Sequence, residues 1–477
     1  MAKAVFKAIK KPTPNFLNYL GKAFIALAVW LLFFSVIYVN TQLNIFLVAN
    51  RFSYLLGAAL LLTILIVAGG TYLTLLDYKA FSRNNNLLFI AIMIFLAMLL
   101  FEACLIAPLD LYIAPMAGIS ILLALLLSLN ASFVVTLLLS LIFGVMIQGR
   151  MDLFFVMFLG GTVGAIAVRN TRRRNHLLSA GLFVGIFNFV VISCFGLFKG
   201  ESPPIFLKEG FWGFGSGILS SFLVMGLLPV LETLFNITTN ITLLELSDLN
   251  NPLLKELILK APGTYHHSLV VGNLAEAACG AISANSLLAR VGAYYHDIGK
   301  LNKPEYFSEN ELEPQSRHEE LKPSMSSLII VNHVKDGVEL AKRHKLPRSL
   351  IDFVEQHHGT SLIYYFYQRA LEKVEDEGFL EEDDYRYQGP KPQTKEAAVV
   401  LLADSVEASS RALSDPTPAK IKAMAQKIIN NKFIDGQLDE CDLSLKDLHK
   451  IADSFAKILT GIFHSRVEYP VVSSSST

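Results

Sequence analysis

The stretch LLARVGAYYHDIGK (residues 287–300) decides how the second half of this chain folds. Its apolar residues recur at helical spacing, and the pattern predicts a helix that ends on Gly299. An adjacent histidine and aspartate, His296 and Asp297, stand near the carboxyl end of this segment. The chemistry of the second half follows from what surrounds this pair.

Ten of the 11 histidines lie at or beyond residue 266, and the most specific of them form an ordered series with two aspartates. The other members lie on segments with helical periodicity, among them GTYHHSLVVGNLAEAACGAI from residue 263, RSLIDFVEQHHG from 348 and KEAAVVLLADSVEASSRAL from 395. The complete series is His267, His296, Asp297, His333, His357, His358 and Asp404.

This inventory predicts a metal site. Neutral imidazoles and carboxylates suit Mn, Fe, Co or Zn, whereas an all-oxygen set suits Mg or Ca. A shared carboxylate can hold two ions about 3.5–4 Å apart, so that they clamp both oxygens of a phosphoryl displacement. Asp404 lies inside an apolar helix, where a carboxylate must be paired or metal-bound. The remaining His344, His449 and His464 we interpret as core or surface residues.

The first half of the chain predicts a membrane domain. Hydrophobic residues make up 53% of the sequence and charged residues 17%. Eight apolar stretches approach the roughly 20 residues that cross a bilayer as a helix. Because the fourth and fifth are separated by a short break, a count of seven stays open. The stretches are 23–39, 54–77, 87–105, 111–128, 131–148, 152–168, 177–197 and 211–235.

Charge predicts the orientation of this domain. Residues 1–240 carry 15 Lys/Arg against 7 Asp/Glu, and the remainder carries 26 against 34. With eight spans, the loops on the side of the N-terminus hold 11 Lys/Arg and the opposite loops hold 4. Basic loops stay in the cytoplasm, so we expect a multi-pass protein of the inner (cytoplasmic) membrane with both termini in the cytoplasm. The basic start predicts an uncleaved anchor.

These patterns divide the chain into four parts. Residues 1–22 are expected to be a cytoplasmic basic N-terminus and 23–235 the membrane domain. Residues 236–262 are expected to be a linker, and 263–477 a cytoplasmic domain. The fold class is therefore all-α: a polytopic helical membrane domain followed by a cytoplasmic all-α bundle.

From about Phe235 to Val471 the chain closely resembles the bacterial seven-transmembrane-receptor HD phosphohydrolases. The resemblance is carried by long stretches such as LLELSDLNNPLLKELILKAPGTYHHSLVVGNLAEAA, LLARVGAYYHDIGKLNKPEYFSEN and DGQLDECDLSLKDL. It implies hydrolysis of cyclic di-AMP to pApA at a di-manganese or di-iron site. Family members usually carry a large extracytoplasmic domain after the first helix, but only Asn40–Ser53 fills that place here.

The resemblance also implies a ligand set. One metal ion would be held by His267, His296, Asp297 and Asp404, and the other by His333, His357 and His358, with Asp297 as the bridge. His266 would support the site from beside its ligand and contact the substrate.

Four further residues receive a role at the substrate. Lys300 resembles the conserved lysine of the family, and with Asp297 it is predicted to be catalytic. It would neutralise phosphate or protonate the leaving oxygen, unless it is only a cation near a helix end. Tyr385, Arg386 and Tyr387 resemble a family signature and would bind phosphate or stack on a base. The alternative for these three is a proline-fixed loop over the bundle.

The predicted function is metal-dependent hydrolysis of a cyclic dinucleotide at the cytoplasmic face. One alternative is a membrane receptor whose HD domain binds nucleotide without cleaving it. Another is an HD hydrolase of a different nucleotide, such as (p)ppGpp, a nucleoside triphosphate or cyclic di-GMP. The expected partners are the cyclic dinucleotide, the lipid bilayer and a second copy of the chain in a homodimer. A nucleic-acid polymer is not expected.

Overall fold

The structure is a computed structural model. It describes residues 16–42, 50–76, 84–107, 109–147, 149–169, 171–311, 317–372 and 381–463. Predictions about residues 1–15 and His464 lie outside this part of the chain. The chain divides into two compact units, Met1–Ile241 and Thr242–Thr477.

Helices dominate both units, and the described residues contain no strand beyond one isolated bridge between Leu362 and Arg386. The all-α prediction is confirmed. The first unit contains α1 (Phe16–Gln42), α2 (Arg51–Leu76), α3 (Asn84–Ile106), α4 (Met116–Leu126), α5 (Leu129–Met146), α6 (Met151–Ala167), α7 (Asn175–Phe198) and α8 (Pro203–Phe235). A short α9 (Asn240–Leu246) follows.

Six helices of the first unit are long and apolar enough to cross a bilayer: α1, α2, α3, α5, α7 and α8. Two shorter apolar segments, Leu111–Leu126 and Met151–Ala167, lie between them. On α2 an exposed apolar stripe is formed by Leu56, Leu60 and Ile64, each at least 51% exposed. Such a stripe is suited to contact with lipid rather than water. The number of crossings, predicted as eight, stays a prediction.

Helices α7 and α8 pack through glycines. A Cβ on Gly217 of α8 would collide with the main chain at Gly181 and Gly185 of α7. Small residues allow such close approach of helix backbones in a membrane, where packing replaces the hydrophobic driving force. Helix α8 is about 50 Å long at 1.5 Å per residue and ends at Phe235, and the φ of 52° at the following Asn236 is left-handed.

The second unit is a bundle. Its helices are α10 (Pro252–Lys260), α11 (Pro262–Ala281), α12 (Ser286–Tyr295), α13 (Pro323–Arg343), α14 (Arg348–Gln356), α15 (Tyr364–Leu371), α16 (Lys395–Ser410), α17 (Pro418–Ile434) and α18 (Leu445–Phe463). Capping side chains set several of the starts, since Asn285, Thr394 and Thr417 each accept a hydrogen bond from a main-chain amide three residues on.

Helix α16 lies at the centre of the bundle. Its residues 397–403 are all buried and pack in one core cluster with residues of α11, α17 and α18. A second core cluster joins α10 to α12, α13 and α14 through Leu253, Leu254 and Leu257. Part of the stretch predicted as a linker is therefore helical and buried in the second unit.

The predicted end of α12 at Gly299 is wrong. The helix ends at Tyr295, and a 3-10 turn, Ile298–Asn302, follows. Gly299 serves instead as a contact point, because a Cβ there would collide with the main-chain oxygen of His333 and approach the amide of Gly337 to 2.5 Å. The tight turn and the missing side chain let α13 approach the His296–Asp297 pair.

Candidate metal centre

Five segments of the second unit supply the seven predicted ligands. His267 lies on α11, His296 and Asp297 directly follow α12, and His333 lies on α13. His357 and His358 follow α14, and Asp404 lies in the middle of α16. Six of the seven are buried, and His358 is partly exposed. The structure thus brings together side chains that are up to 137 positions apart in the sequence.

The carboxylate of Asp297 lies at the middle of this cluster. Its Oδ1 is 3.3 Å from Nε2 of His333 and 3.4 Å from Nε2 of His357. Its Oδ2 is 3.2 Å from Nε2 of His296 and 3.6 Å from Nε2 of His267. The donor atoms form two groups that can each hold a metal ion, and Asp297 belongs to both. One group consists of His267, His296 and Asp297, and the other of Asp297, His333, His357 and His358.

The hydrogen bonds of the imidazoles fix where their protons are. His296, His333 and His357 each direct Nδ1 at the main-chain oxygen three residues earlier. A carbonyl only accepts, so Nδ1 carries the proton and Nε2 keeps its lone pair. Nε2 of His333 and Nε2 of His357 lie 3.2 Å apart, both facing an Asp297 oxygen.

Such a convergence of acceptors fits a bound cation. Nε2 of His296 and Oδ1 of Asp297 are buried and have no hydrogen-bond partner among the described residues. Unpartnered buried polar atoms are costly unless something else satisfies them. Divalent transition-metal ions accept nitrogen and carboxylate donors of this kind, so the residues present fit a divalent metal.

Asp404 faces both donor groups. Its Oδ1 is 3.1 Å from Nε2 of His267, and its Oδ2 is 3.4 Å from Nδ1 of His358. Burial alone would raise the pKa of the Asp404 carboxyl, but the hydrogen bond from His267 and the charge of His267 outweigh burial and lower it below its usual range. Asp404 is therefore an anion at neutral pH.

Two histidines of the centre are held neutral. Burial, reinforced by the neighbouring histidines, lowers the pKa of His357 to about 4. Burial and the adjacent His357 likewise lower the pKa of His358. A neutral imidazole is the form that binds metal. Both side chains can therefore bind a metal ion without first losing a proton.

Lys300 lies beside the bridging carboxylate. Its Nζ is 2.8 Å from Oδ2 of Asp297, 2.7 Å from Oε1 of Glu309 and 4.9 Å from the ring centre of Phe307. Burial alone would lower the pKa of the Lys300 ammonium, but the two carboxylates outweigh burial and raise it. The ammonium therefore stays charged. Glu309 was not predicted from the sequence; it lies in a 3-10 turn and also accepts a hydrogen bond from Thr264.

Glu407 and Arg411 were also missed. Oε2 of Glu407 is 2.6 Å from Nδ1 of His267, and its Oε1 accepts from Nε and Nη2 of Arg411 at 2.8 and 2.6 Å. Burial alone would lower the pKa of His267, but hydrogen bonds to Asp404 and Glu407 raise it to about 10. The available signal was spacing, since Glu407 follows Asp404 by three residues and Arg411 follows Glu407 by four.

Besides Lys300, four residues were predicted to contact substrate, and the structure places them differently from one another. Tyr387 stacks on His358 with ring centres 4.1 Å apart. Tyr385 is buried in a small cluster with Phe366. Arg386 donates to Asp435 and to the main-chain oxygen of Thr360, which fixes the turn after His358. His266 is exposed and lies outside the lining of the cavity described below.

A cavity of about 500 Å³ opens over the centre. Its volume lies within the roughly 300–1,000 Å³ of small-molecule sites. Lys300 and Arg411 contribute positive charge to its wall, and Phe307 and Tyr387 contribute aromatic rings. The ligand side chains that reach this wall are His267, His333, His358 and Asp404.

Comparison with known families agrees with this arrangement. Residues 52–239 match the family described as 7TM receptor with intracellular HD hydrolase, and residues 264–409 match the HD domain. The apolar helices and the first match make the chain a membrane protein. The second match and the His/Asp cluster make a divalent metal the expected cofactor class.

Two curated relatives carry the same name, cyclic-di-AMP phosphodiesterase PgpH. The protein of Bacillus subtilis (strain 168) is 45% identical over 65% of this chain and 44% of its own length. That of Listeria monocytogenes serotype 1/2a (strain 10403S) is 43% identical over 65% of this chain and 43% of its own length. The matched part of the chain thus spans less than half the length of these relatives.

A crystal structure of the L. monocytogenes phosphodiesterase PgpH HD domain in complex with cyclic-di-AMP is 50% identical in sequence. It covers 46% of this chain and 100% of its own length, with a TM-score of 0.43.

Proposed function

Because the chain belongs to the family of seven-transmembrane receptors with an intracellular HD hydrolase, we propose that its second unit is a two-metal phosphodiesterase. Its proposed substrate is a cyclic dinucleotide, cyclic di-AMP, and its product is the linear pApA. The observation that carries this proposal is the Asp297 carboxylate shared by two groups of donor atoms under a substrate-sized cavity.

The charge balance of the second half supports this reading. Residues beyond 240 carry 26 Lys/Arg against 34 Asp/Glu, so side chains supply no general excess of positive charge for an anionic substrate. Bound cations are the natural source of that charge. The nitrogen-rich donor set favours manganese or iron over Mg or Ca. The residues that would hold the two ions are the seven predicted ligands.

The proposed reaction consumes one water molecule. Its oxygen bonds to one of the two phosphorus atoms, the bond from that phosphorus to the 3′ oxygen breaks, and a proton passes to that oxygen. The ring opens into a linear dinucleotide with one terminal 5′-phosphate. Two divalent ions supply Lewis acidity and lower the pKa of the attacking water.

Two residues of the chain have defined work in this scheme. The Lys300 ammonium lines the cavity and is charged, so it can neutralise the phosphate as negative charge develops on the leaving oxygen. Tyr387 lines the same cavity and offers an aromatic face suited to stacking on a base. Neither Tyr385 nor Arg386 lines this cavity, which favours the structural reading of the two.

We place the second unit at the cytoplasmic face of the inner membrane, because the loops on the side of the N-terminus carry 11 of 15 Lys/Arg in the first half. A second messenger made and consumed inside the cell is accessible there. A homodimer stays a prediction.

A substrate panel tests the proposal. The full chain, purified in lipid nanodiscs with Mn²⁺, is given cyclic di-AMP, cyclic di-GMP, ppGpp and ATP in parallel, and products are resolved by chromatography. We expect cyclic di-AMP to be converted to pApA with the highest kcat/KM. A higher value for another nucleotide would overturn the substrate assignment. Binding of cyclic di-AMP by the metal-loaded chain without product would point to a receptor instead.

A further inference from the structure

His267 differs from three of the other four ligand histidines in the group that its Nδ1 faces. Nδ1 of His296, of His333 and of His357 faces a main-chain carbonyl within the local helical turn. Nδ1 of His267 faces instead a carboxylate on another helix, Oε2 of Glu407, at 2.6 Å. A carboxylate partner makes the imidazole a stronger donor to metal than a carbonyl partner does.

We propose that Glu407, anchored by Arg411, is a positioning residue for the metal ion held by His267, His296 and Asp297. It fixes His267 with the proton on Nδ1 and the Nε2 lone pair directed at that ion. This inference deepens the proposed function and rests on the metal centre described above.

The geometry excludes Glu407 as a ligand itself. Both of its oxygens are engaged: Oε2 by His267, and Oε1 by Nε and Nη2 of Arg411 at 2.8 and 2.6 Å. Only 4% of Glu407 is exposed. Its side chain lies on the far side of the imidazole from Asp297.

Arg411 holds the Glu407 carboxylate in place. Two nitrogens of its guanidinium donate hydrogen bonds to Oε1 of Glu407. These bonds keep the carboxylate of Glu407 ionised and limit its rotation. An ionised Glu407 only accepts, so the shared proton belongs to His267. Because Asp404 and Glu407 both lie on α16, the helix that supplies a ligand also orients a ligand on α11.

The effect should be confined to one of the two ions. No described contact joins Glu407 to His333, His357 or His358, and the imidazoles of His333 and His357 have main-chain supports of their own. Loss of such an indirect partner typically costs about 10–100-fold in metal affinity. We therefore expect Glu407→Gln to weaken one binding event and leave the other unchanged.

Manganese binding by the full chain tests this directly. Protein in nanodiscs is stripped with chelator, titrated with Mn²⁺ and followed by the paramagnetic resonance signal of free Mn²⁺. The wild type should bind two ions. Glu407→Gln should still bind two, one of them about 10–100-fold more weakly, and excess Mn²⁺ should restore kcat to near the wild-type value. Glu407→Ala, which removes the acceptor altogether, should be weaker again.

A matched control is Glu276→Gln, which breaks the Glu276–Arg290 pair elsewhere in the second unit, 2.9 Å in length. It should bind Mn²⁺ as the wild type does. Unchanged affinity in Glu407→Gln would overturn the inference, and so would equal weakening of both ions with a lowered melting temperature, because that result indicates a general structural role.

Metal binding is read without substrate, so the two proposals can fail separately. A wild type that binds two Mn²⁺ ions but cleaves no cyclic di-AMP contradicts the proposed function, and the comparison with Glu407→Gln still decides the inference.

Discussion

The ammonium of Lys300 donates to Oδ2 of Asp297 at 2.8 Å. A fixed positive charge therefore lies beside the carboxylate that the two metal-binding groups share. Lys300 lies three residues beyond Asp297, and the 3-10 turn that replaces the end of α12 brings the two side chains together. The same lysine lines the substrate cavity. The anionic side chain shared by the metal groups and the cationic side chain that faces the substrate cavity thus lie three residues apart in the sequence.

Removing that charge should slow the reaction without emptying the centre. We expect Lys300→Met to lower kcat by about 100–1,000-fold, the usual loss when one group that stabilises developing charge is removed. Mn²⁺ should still bind, since the change removes a cation that competes for Asp297. Steady-state kinetics and Mn²⁺ titration measure the two effects. Lys303→Met, at an exposed lysine nearby, is the control, and a Lys300→Met variant with normal kcat would refute the role.

Gly299 should be intolerant of a side chain. In Gly299→Ala the new methyl would meet the main chain of α13 at His333 and Gly337, which cannot retreat as a side chain can. We expect a loss of about 1–3 kcal/mol in the free energy of unfolding and weaker Mn²⁺ binding. Thermal unfolding of the full chain measures the first. Gly461→Ala on α18 has open space around its Cβ and should unfold at the wild-type temperature or slightly above it.

Metal binding should strengthen as pH rises. The pKa of His267 is raised to about 10 by Asp404 and Glu407, against the opposing effect of burial, so below that pH the metal-free imidazole carries a proton on both nitrogens. An ion at Nε2 must displace one proton. Affinity for one ion should therefore increase by about tenfold per pH unit between pH 6.5 and 8.5. Calorimetric titrations at pH 6.5, 7.5 and 8.5 would show this, whereas a pH-independent affinity would contradict it.

The Tyr385–Tyr387 loop should separate into structural and binding residues. Tyr387→Ala removes the ring that stacks on His358 and lines the cavity, so the KM for cyclic di-AMP should rise by about tenfold or more. Arg386→Gln removes the bonds to Asp435 and Thr360 and should lower the melting temperature while KM stays near normal. An Arg386→Gln protein with normal stability and a raised KM would reverse these assignments.

Much of the fold could be predicted because it depends on local pattern. Long apolar runs indicate the membrane helices, and helical periodicity places the seven predicted ligands on helices or directly after them. Ligand types such as His296 and Asp297 stand out because a buried carboxylate or imidazole cluster needs a partner. Each of these signals can be read from a single segment of the sequence.

The features that could not be predicted depend on contacts between segments. Beyond the end of α12 the main chain of α13 closely approaches Gly299, and no residue of LLARVGAYYHDIGK reveals that contact. Glu309 and Glu407 resemble surface glutamates in sequence, yet they are partners of Lys300 and His267. For Arg386 the sequence left a phosphate contact and a proline-fixed loop as alternatives, and it could not reveal that Asp435 pairs with the guanidinium.

The most direct test of the central claim is turnover of cyclic di-AMP by the purified full chain, comparing chelator-treated protein, the same protein after Mn²⁺ or Fe²⁺ is restored, and an Asp297→Asn variant. Asp297→Asn keeps the shape of the side chain but loses the charge shared by both donor groups. The account predicts pApA from the metal-restored wild type alone, with the variant folded and inactive. Release of pApA from chelator-treated protein, or from Asp297→Asn at the wild-type rate, would contradict the two-metal mechanism.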